Sequence, residues 1–370
     1  MDETDKTSGS DERGAHREYG RRKNVEKDWR KGTGRWRFDG DEESDRPGSQ
    51  SERNAPRKFR FARPENERTA MVLQTGGPGV LLLDGEETLR AQARRATTSD
   101  NGDATLVVIG DTVQYIVSGE GDAIITHVHK RRSALMRSSV STRDFHQVLA
   151  ANIDLVVIVT AASRELLRPG LIDRYIIAAA MGGMDAAVCV NKMDLIDDED
   201  REIIDDLVAM YSDVGYPVVC TSAESGNGIS DLAALTHGKI CVFSGHSGVG
   251  KTSLLNLLIP GLDEKTQELS DQSQRGAHTT TRSTLYPFLG GGWLADTPGI
   301  REFGLKHFDT GDLQAYYPEF VAIADRCRFA SCTHEHEPGC AIIAAVEAES
   351  IHPTRYRNYI QILTSERDSA

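Results

Sequence analysis

Apolar positions divide the chain into segments of different character. Residues 1–68 carry almost no aliphatic side chains among many charged and polar ones, with scattered Gly and Pro. Such a stretch cannot bury enough apolar surface to offset its ordering entropy, so it is expected to be disordered in isolation. From Ala70 the pattern changes to short β-rich runs at 70–75, 80–83, 89–93, 105–109, 113–117 and 123–128. Gly-Gly-Pro-Gly, Asp-Gly, Asn-Gly-Asp and Gly-Glu-Gly-Asp punctuate them. Short strands separated by turn signals at this spacing predict a small closed barrel. The pattern suits an OB-fold, and an SH3-like barrel fits it as well.

Beyond residue 150 the runs become continuous rather than alternating, as in strands buried on both faces of a parallel sheet. Apolar strands at 154–160, 186–190, 217–221 and 239–244 alternate with helical spacing at 171–181, 200–211 and 253–258. This alternation predicts a doubly wound α/β sheet with ligands at the carboxyl ends of its strands. Residues 261–282 are polar and aperiodic; β-like runs follow at 283–289 and 292–295, and the sequence turns helical after Pro318. The expected organisation is a disordered extension at 1–68, a β-barrel at 69–137, an α/β domain at 138–317 and a helical domain at 318–370.

The strand at 239–244 runs into Gly245-His-Ser-Gly-Val-Gly-Lys-Thr252, a complete G-x-x-x-x-G-K-[ST] phosphate loop, and a helix former follows. Loop N–H groups and the positive end of the helix would cradle phosphates. The candidate nucleotide contacts are Gly245, His246, Ser247, Gly248, Val249, Gly250, Lys251, Thr252 and Ser253. Lys251 would reach the β- and γ-phosphates, and the Thr252 hydroxyl would sit on Mg²⁺.

Two polar stretches at other strand ends read the base. The Asp194 carboxylate of Asn191-Lys-Met-Asp194 can accept from guanine N1–H and its exocyclic amine together, a donor pair that adenine lacks; losing such a buried pair costs several kcal/mol. Asn191 would tie this loop to the phosphate loop, Lys192 would pack its stem on the purine, and Ser222-Ala223 would present a backbone N–H to guanine O6. In Asp296-Thr-Pro-Gly299, Asp296 is expected behind Mg²⁺ and the Gly299 N–H at the γ-phosphate. One of Thr279, Thr280 and Thr281 would complete the Mg²⁺ shell, Thr280 being favoured. Ile300 follows, where many signalling GTPases place a water-orienting glutamine. An isoleucine cannot hold water, so His278 is the candidate within the chain for positioning it.

The formal net charge of −13 argues against a basic coat for nucleic acid, so RNA contacts would use local patches. Residues 13–37 form one, with ten Lys and Arg interleaved with Trp29 and Trp36, and Phe38 follows. His129-Lys-Arg-Arg132 and Arg137 form another. Each reads equally as a solvated segment. Of six cysteines, Cys189, Cys220 and Cys241 lie in apolar runs as packing thiols. The others form Cys327-x4-Cys332-x-His334-x5-Cys340, a Cys3His set expected to close a structural zinc shell, with His336 as an alternative to His334 and a disulfide as the weaker reading. No apolar run approaches the ~18 residues of a transmembrane helix, and the first residues hold no apolar signal segment. The chain is therefore expected to be soluble, cytoplasmic and monomeric, with no membrane partner.

Guanine-reading elements precede the phosphate loop here, the reverse of the order in ordinary small GTPases. That rotated order, the barrel before it and the Cys3His set after it resemble the circularly permuted GTPase family RsgA (also called YjeQ or EngC). Gly-His-Ser-Gly-Val-Gly-Lys-Thr, Gly-Ala-His-Thr-Thr-Thr and Glu-Pro-Gly-Cys340 carry the resemblance across 70–365. It implies a GTP hydrolase that binds the small ribosomal subunit late in assembly, with OB and zinc domains contacting rRNA. The extension before residue 68 and Thr252, where Ser is commoner, depart from the family pattern. A nucleotide-dependent RNA-binding switch with little turnover is the alternative; a free-standing metabolic enzyme would need a second catalytic constellation, and none is visible.

Overall fold

The computed structural model describes residues 66–77, 79–101, 107–117, 123–138, 146–262, 282–297 and 310–367. The basic stretch 13–37, His278, the threonines 279–281, Gly299 and Ile300 lie outside them.

Strands β1 (Arg68–Thr75), β2 (Val80–Asp84), β3 (Glu87–Ser99), β4 (Thr112–Val117) and β5 (Ala123–Val128) form a closed barrel. Their order is β1-β2-β3-β5-β4 with β4 returning to β1, and the β3–β5 pair is parallel. This closure is that of an OB-fold, which settles the barrel type. Alternation explains the core: Val72, Leu82, Val113, Tyr115 and Ile125 point inward and are buried. The run expected as a strand at 105–109 contributes only a bridge from Ile109 to Ala150 within the described residues. Gly110 then turns at φ 81°, where a Cβ would overlap the Ala151 carbonyl.

A hairpin of β6 (Ala134–Ser138) and β7 (His146–Ala151) follows. The α/β part comprises β8 (Leu155–Ala161), α1 (Pro169–Met181), β9 (Asp185–Asn191), α2 (Asp198–Asp213), β10 (Val218–Cys220), α3 (Ile229–Thr236), β11 (Ile240–Ser244), α4 (Lys251–Leu258), β12 (Ser283–Pro287) and β13 (Trp293–Asp296). Strand order is β10-β9-β8-β11-β13-β12, with every neighbouring pair parallel except β12–β13. Strands β8 and β11 are buried on both faces. Val156 and Ile158 pack with Ile172, Ile176, Ile204 and Leu207 of α1 and α2. Leu155, Val157 and Val159 pack on the other face with Leu232, Leu254 and Leu258 of α3 and α4. One sheet runs through both parts, because β12 pairs with β1 at Gln74↔Thr284 and Thr75↔Ser283.

After a 3-10 turn at Thr310–Tyr316, the C-terminal region holds α5 (Pro318–Val321), α6 (Ala341–Glu347) and α7 (Pro353–Arg367). A buried ion network docks it on α1. Arg355 is 1 % exposed and pairs with Asp173, which is fully buried, and through Nε with Glu319 at 2.7 Å. Asn358 and Tyr211 also donate to Asp173, at 2.6 and 2.9 Å. The Tyr317 ring lies 4.5 Å from the guanidinium carbon, satisfying its face as the carboxylates satisfy its edge.

Candidate functional site

The phosphate loop connects β11 to α4 at the carboxyl edge of the sheet, and two glycines permit its path. Gly245 has φ 138° and stands where a Cβ would overlap the Val159 carbonyl; Gly250 has φ 93° and packs under the Asn191 amide. Any side chain there would push the loop off the sheet. Val249 alone in the loop points inward and is 1 % exposed, anchoring it to the core beneath α4. His246, Ser247 and Gly248 are exposed, as are Thr252 and Ser253 in the first turn of α4. Lys251 folds back over the loop, its Nζ donating to the carbonyls of Gly245 at 2.8 Å and His246 at 2.7 Å. The ammonium is thus held at the loop's mouth, beside the N-terminus of an eight-residue helix.

Asn191 ends β9, is 1 % exposed and joins three segments. Its Nδ2 donates to the Val249 carbonyl at 2.9 Å, and its Oδ1 accepts from Thr221 Oγ1 and the Ala223 N–H, both at 3.2 Å. The loop carrying Asp194 and the loop carrying Ser222 are therefore fixed to the phosphate loop by one amide. Lys192 adopts φ 68°, and its stem passes over Gly250. Ser222 is buried and its hydroxyl donates to Asp194 Oδ1. Because Ser222 Oγ already accepts from the Ser225 N–H at 3.0 Å, its own proton is directed to the carboxylate. Asp194 is exposed. The Ser222 N–H donates to the Asn227 carbonyl at 2.9 Å, and the Ala223 N–H donates to Asn191 Oδ1 at 3.2 Å.

Asp296 ends β13, which runs parallel to β11, so it lies at the same carboxyl edge of the sheet from which the phosphate loop starts. Asn191, Lys192, Asp194, Ser222, Ala223, residues 245–253 and Asp296 thus gather along the carboxyl edge of β9, β10, β11 and β13. Burial pushes the Cys189 thiol up to about 11 and the Cys241 thiol up to about 12, which fits packing groups beneath the sheet rather than nucleophiles.

The C-terminal region brings together Cys327, Cys332, His334 and Cys340, with ligand atoms all within 4.8 Å of one another. Cys327 Sγ lies 3.9 Å from Cys340 Sγ and 3.6 Å from His334 Nδ1, which lies 3.4 Å from Cys340 Sγ. A tetrahedral zinc with ordinary bond lengths sets S···S at about 3.8 Å and S···N at about 3.6 Å, so the donor set fits that ion. His336 is exposed and outside the cluster. His334 Nε2 lies 2.8 Å from Gln314 Oε1, an acceptor that fixes the proton there and turns the Nδ1 lone pair to the thiols. Burial lowers the His334 pKa, keeping the imidazole neutral, the form that ligates. The Ala341 N–H donates to Cys327 Sγ at 3.3 Å. Glu337 ties the loop by accepting from the Thr333 N–H at 2.7 Å and Thr333 Oγ1 at 2.6 Å. Burial alone would raise its pKa, but these bonds outweigh it and hold the carboxyl well below its usual range.

Sequence reasoning missed Thr221, Gln314 and Glu337, and at Ser222 it named the backbone rather than the hydroxyl. Thr221 and the Ser222 hydroxyl sit at a strand end where a Thr-Ser pair was visible; Gln314 and Glu337 carry no local signal.

Together these features define a guanine-nucleotide-binding phosphate-loop domain with circularly permuted order. The family model for the RsgA GTPase matches residues 128–306, and the small ribosomal subunit biogenesis GTPase RsgA of Chlorobaculum tepidum is 39% identical over 306 residues, 80% of this chain and 97% of that protein. The chain belongs to the RsgA GTPase family, a family of GTP-hydrolysing enzymes. The protein of the same name from Azotobacter vinelandii is 42% identical over 259 residues, 70% of this chain and 75% of its own length. Among solved structures, YjeQ from Thermotoga maritima matches with a TM-score of 0.66 at 30% identity, covering 81% of this chain and 98% of that one. YloQ, described as a circularly permuted GTPase, shares the fold with a TM-score of 0.66 at 23% identity, covering 84% of this chain and 99% of that one.

Proposed function

We propose that this GTPase binds the small ribosomal subunit and its rRNA, acts in late subunit assembly and turns over GTP faster when bound there. The observation that supports the GTPase part of the reading is the Asn191 amide, which ties the loops carrying Asp194 and Ser222 to the phosphate loop. Its relatives are named for small-subunit biogenesis, which supports the partner. In this reading Asp194 accepts from guanine N1–H and N2–H, the Ala223 N–H is shared with O6, and Lys192 covers the base. Residues 245–253 surround the phosphates, with Lys251 moving its ammonium from loop carbonyls to phosphate oxygens. The family implies Mg²⁺ with GTP, and that ion would supply neutralisation of phosphate charge. Thr252 and Thr280 would hold it, with Asp296 behind; Gly299 would report the γ-phosphate. His278 would orient the attacking water.

Cys327, Cys332, His334 and Cys340 would hold one structural zinc. The domain division at 68, 137 and 317, with the 13–37 patch and the 129–137 edge as RNA contacts, belongs to the same reading. So do a monomeric state and a cytoplasmic location. No helix among the described residues is long and apolar enough to cross a membrane. Ile300 favours a second reading, a nucleotide-dependent RNA-binding switch with little turnover. Turnover measured against small-subunit concentration separates the two.

A further inference from the structure

Among the described residues a second group of metal-ligating side chains converges on the barrel, far along the chain from the cysteine cluster. His127 lies near the end of β5, and His129 follows just past the strand with buried Val128 between them. Ser99, the last residue of β3, pairs with Val128, which brings Asp100 across from both histidines. One donor atom from each of Asp100, His127 and His129 lies within 4.8 Å of the others. His127 Nε2 is 3.0 Å from Asp100 Oδ2, and the two imidazoles meet edge to face with centroids 5.3 Å apart. Donors around a four-coordinate zinc at ordinary N and O distances stand about 3.3–3.5 Å apart, within reach of small side-chain rotations here.

The backbone beneath these side chains is clamped. The Asp100 N–H donates to the Val128 carbonyl at 3.1 Å. Asn101 Nδ2 donates to the His129 carbonyl at 3.0 Å, and Asn101 Oδ1 accepts from the Arg131 N–H at 3.0 Å. Arg131 in turn grips buried Asp111 through Nε at 2.7 Å and Nη2 at 2.9 Å. Both ligand-bearing segments are therefore preorganised relative to each other, the condition under which a three-donor site binds.

A supporting contact is also present. His127 Nδ1 lies 2.7 Å from Thr98 Oγ1, whose own proton can go to the Thr126 carbonyl at 3.4 Å. With Thr98 accepting Nδ1–H, the Nε2 lone pair is free to ligate; with Thr98 donating to Nδ1, Nε2–H donates to Asp100, and an entering ion displaces that one proton. Two imidazoles and one carboxylate select first-row transition ions over Mg²⁺ or Ca²⁺. The side chains of Asp100 and His127 are 51% and 21% exposed, so the ion would enter from solvent and keep water at its remaining position.

We propose that Asp100, His127 and His129 form a second metal site, for a divalent first-row transition ion such as zinc, with Thr98 positioning His127. It goes beyond the GTPase reading and does not depend on it.

The test uses tag-free full-length protein, washed with a weak chelator and titrated with Zn²⁺ against a colorimetric indicator. Wild type should take up one equivalent that the His127→Ala/His129→Ala variant does not, whatever the cysteine cluster holds. Thr98→Val should weaken that equivalent by about 10- to 100-fold, as loss of a ligand's orienting partner does. Co²⁺ adds a second readout: the equivalent lost in the double variant should carry no thiolate charge-transfer band, and circular dichroism should match wild type. Equal uptake by wild type and the double variant would overturn the site and leave Thr98, His127 and Asp100 as a hydrogen-bonded chain alone.

Discussion

Replacing Asp194 with Asn tests the guanine reading at a single atom. The Ser222 proton is committed to Asp194 Oδ1, because Ser222 Oγ accepts from the Ser225 N–H. In Asp194→Asn the same hydroxyl needs an acceptor, so it orients the amide with its carbonyl oxygen toward Ser222 and its NH2 where Oδ2 stood. Guanine then meets one acceptor and one donor where it met two acceptors. One charge-assisted hydrogen bond is lost, worth about 1.5–3 kcal/mol, and the other falls to neutral strength, a further loss of about 1 kcal/mol. A total near 3 kcal/mol weakens guanine-nucleotide binding by about 100-fold or more. Xanthine carries a carbonyl where guanine carries its amine, so its N1–H and C2 carbonyl match the Asn amide. Displacement of a fluorescent GDP by GDP and XDP measures both. The variant should lose GDP affinity and gain XDP affinity; GDP binding within threefold of wild type, with no gain for XDP, would refute the base assignment.

Lys251→Ala should abolish turnover, read as phosphate release, because its ammonium is held at the mouth of the phosphate loop; unchanged activity would refute the site. Metal analysis after a weak-chelator wash should find one retained zinc equivalent in wild type and none in Cys340→Ser, and retention in the variant would overturn the ligand set. Asp173→Ala takes from the buried Arg355 guanidinium one of the two carboxylates that pair with it and should cost about 3 kcal/mol in urea denaturation, while removing the whole network together, as Asp173→Ala with Arg355→Met and Glu319→Gln, should recover much of that loss.

Much of the candidate nucleotide site's placement was legible because each part is local: a phosphate loop needs its own strand and helix, and Asn191-Lys-Met-Asp194 ends a continuous apolar strand. The barrel was legible as a kind, since turn residues and short strands recur, but its closure depends on the parallel β3–β5 pair, which no spacing reveals. The hairpin of β6 and β7 was hidden because His129-Lys-Arg-Arg132 and Arg137 read as a basic edge, while Leu135 and Val148 within it are buried. Helix α3 is short and follows Gly226 and Gly228, both at positive φ, so it showed no clear start. The joining of barrel and α/β sheet rests on Gln74 meeting Thr284, and the docking of the C-terminal helices rests on Asp173 meeting Arg355. Pairings between residues so distant in sequence have no periodic signature. The same holds for Gln314 behind His334.

The central claim, a GTPase that answers to the small ribosomal subunit, is tested most directly by phosphate release from GTP across a range of small-subunit concentrations. The account predicts a low rate alone, a saturable rise as subunits are added, and no rise for Lys251→Ala. A flat rate across that range, with the protein still bound to subunits in co-sedimentation, would contradict it.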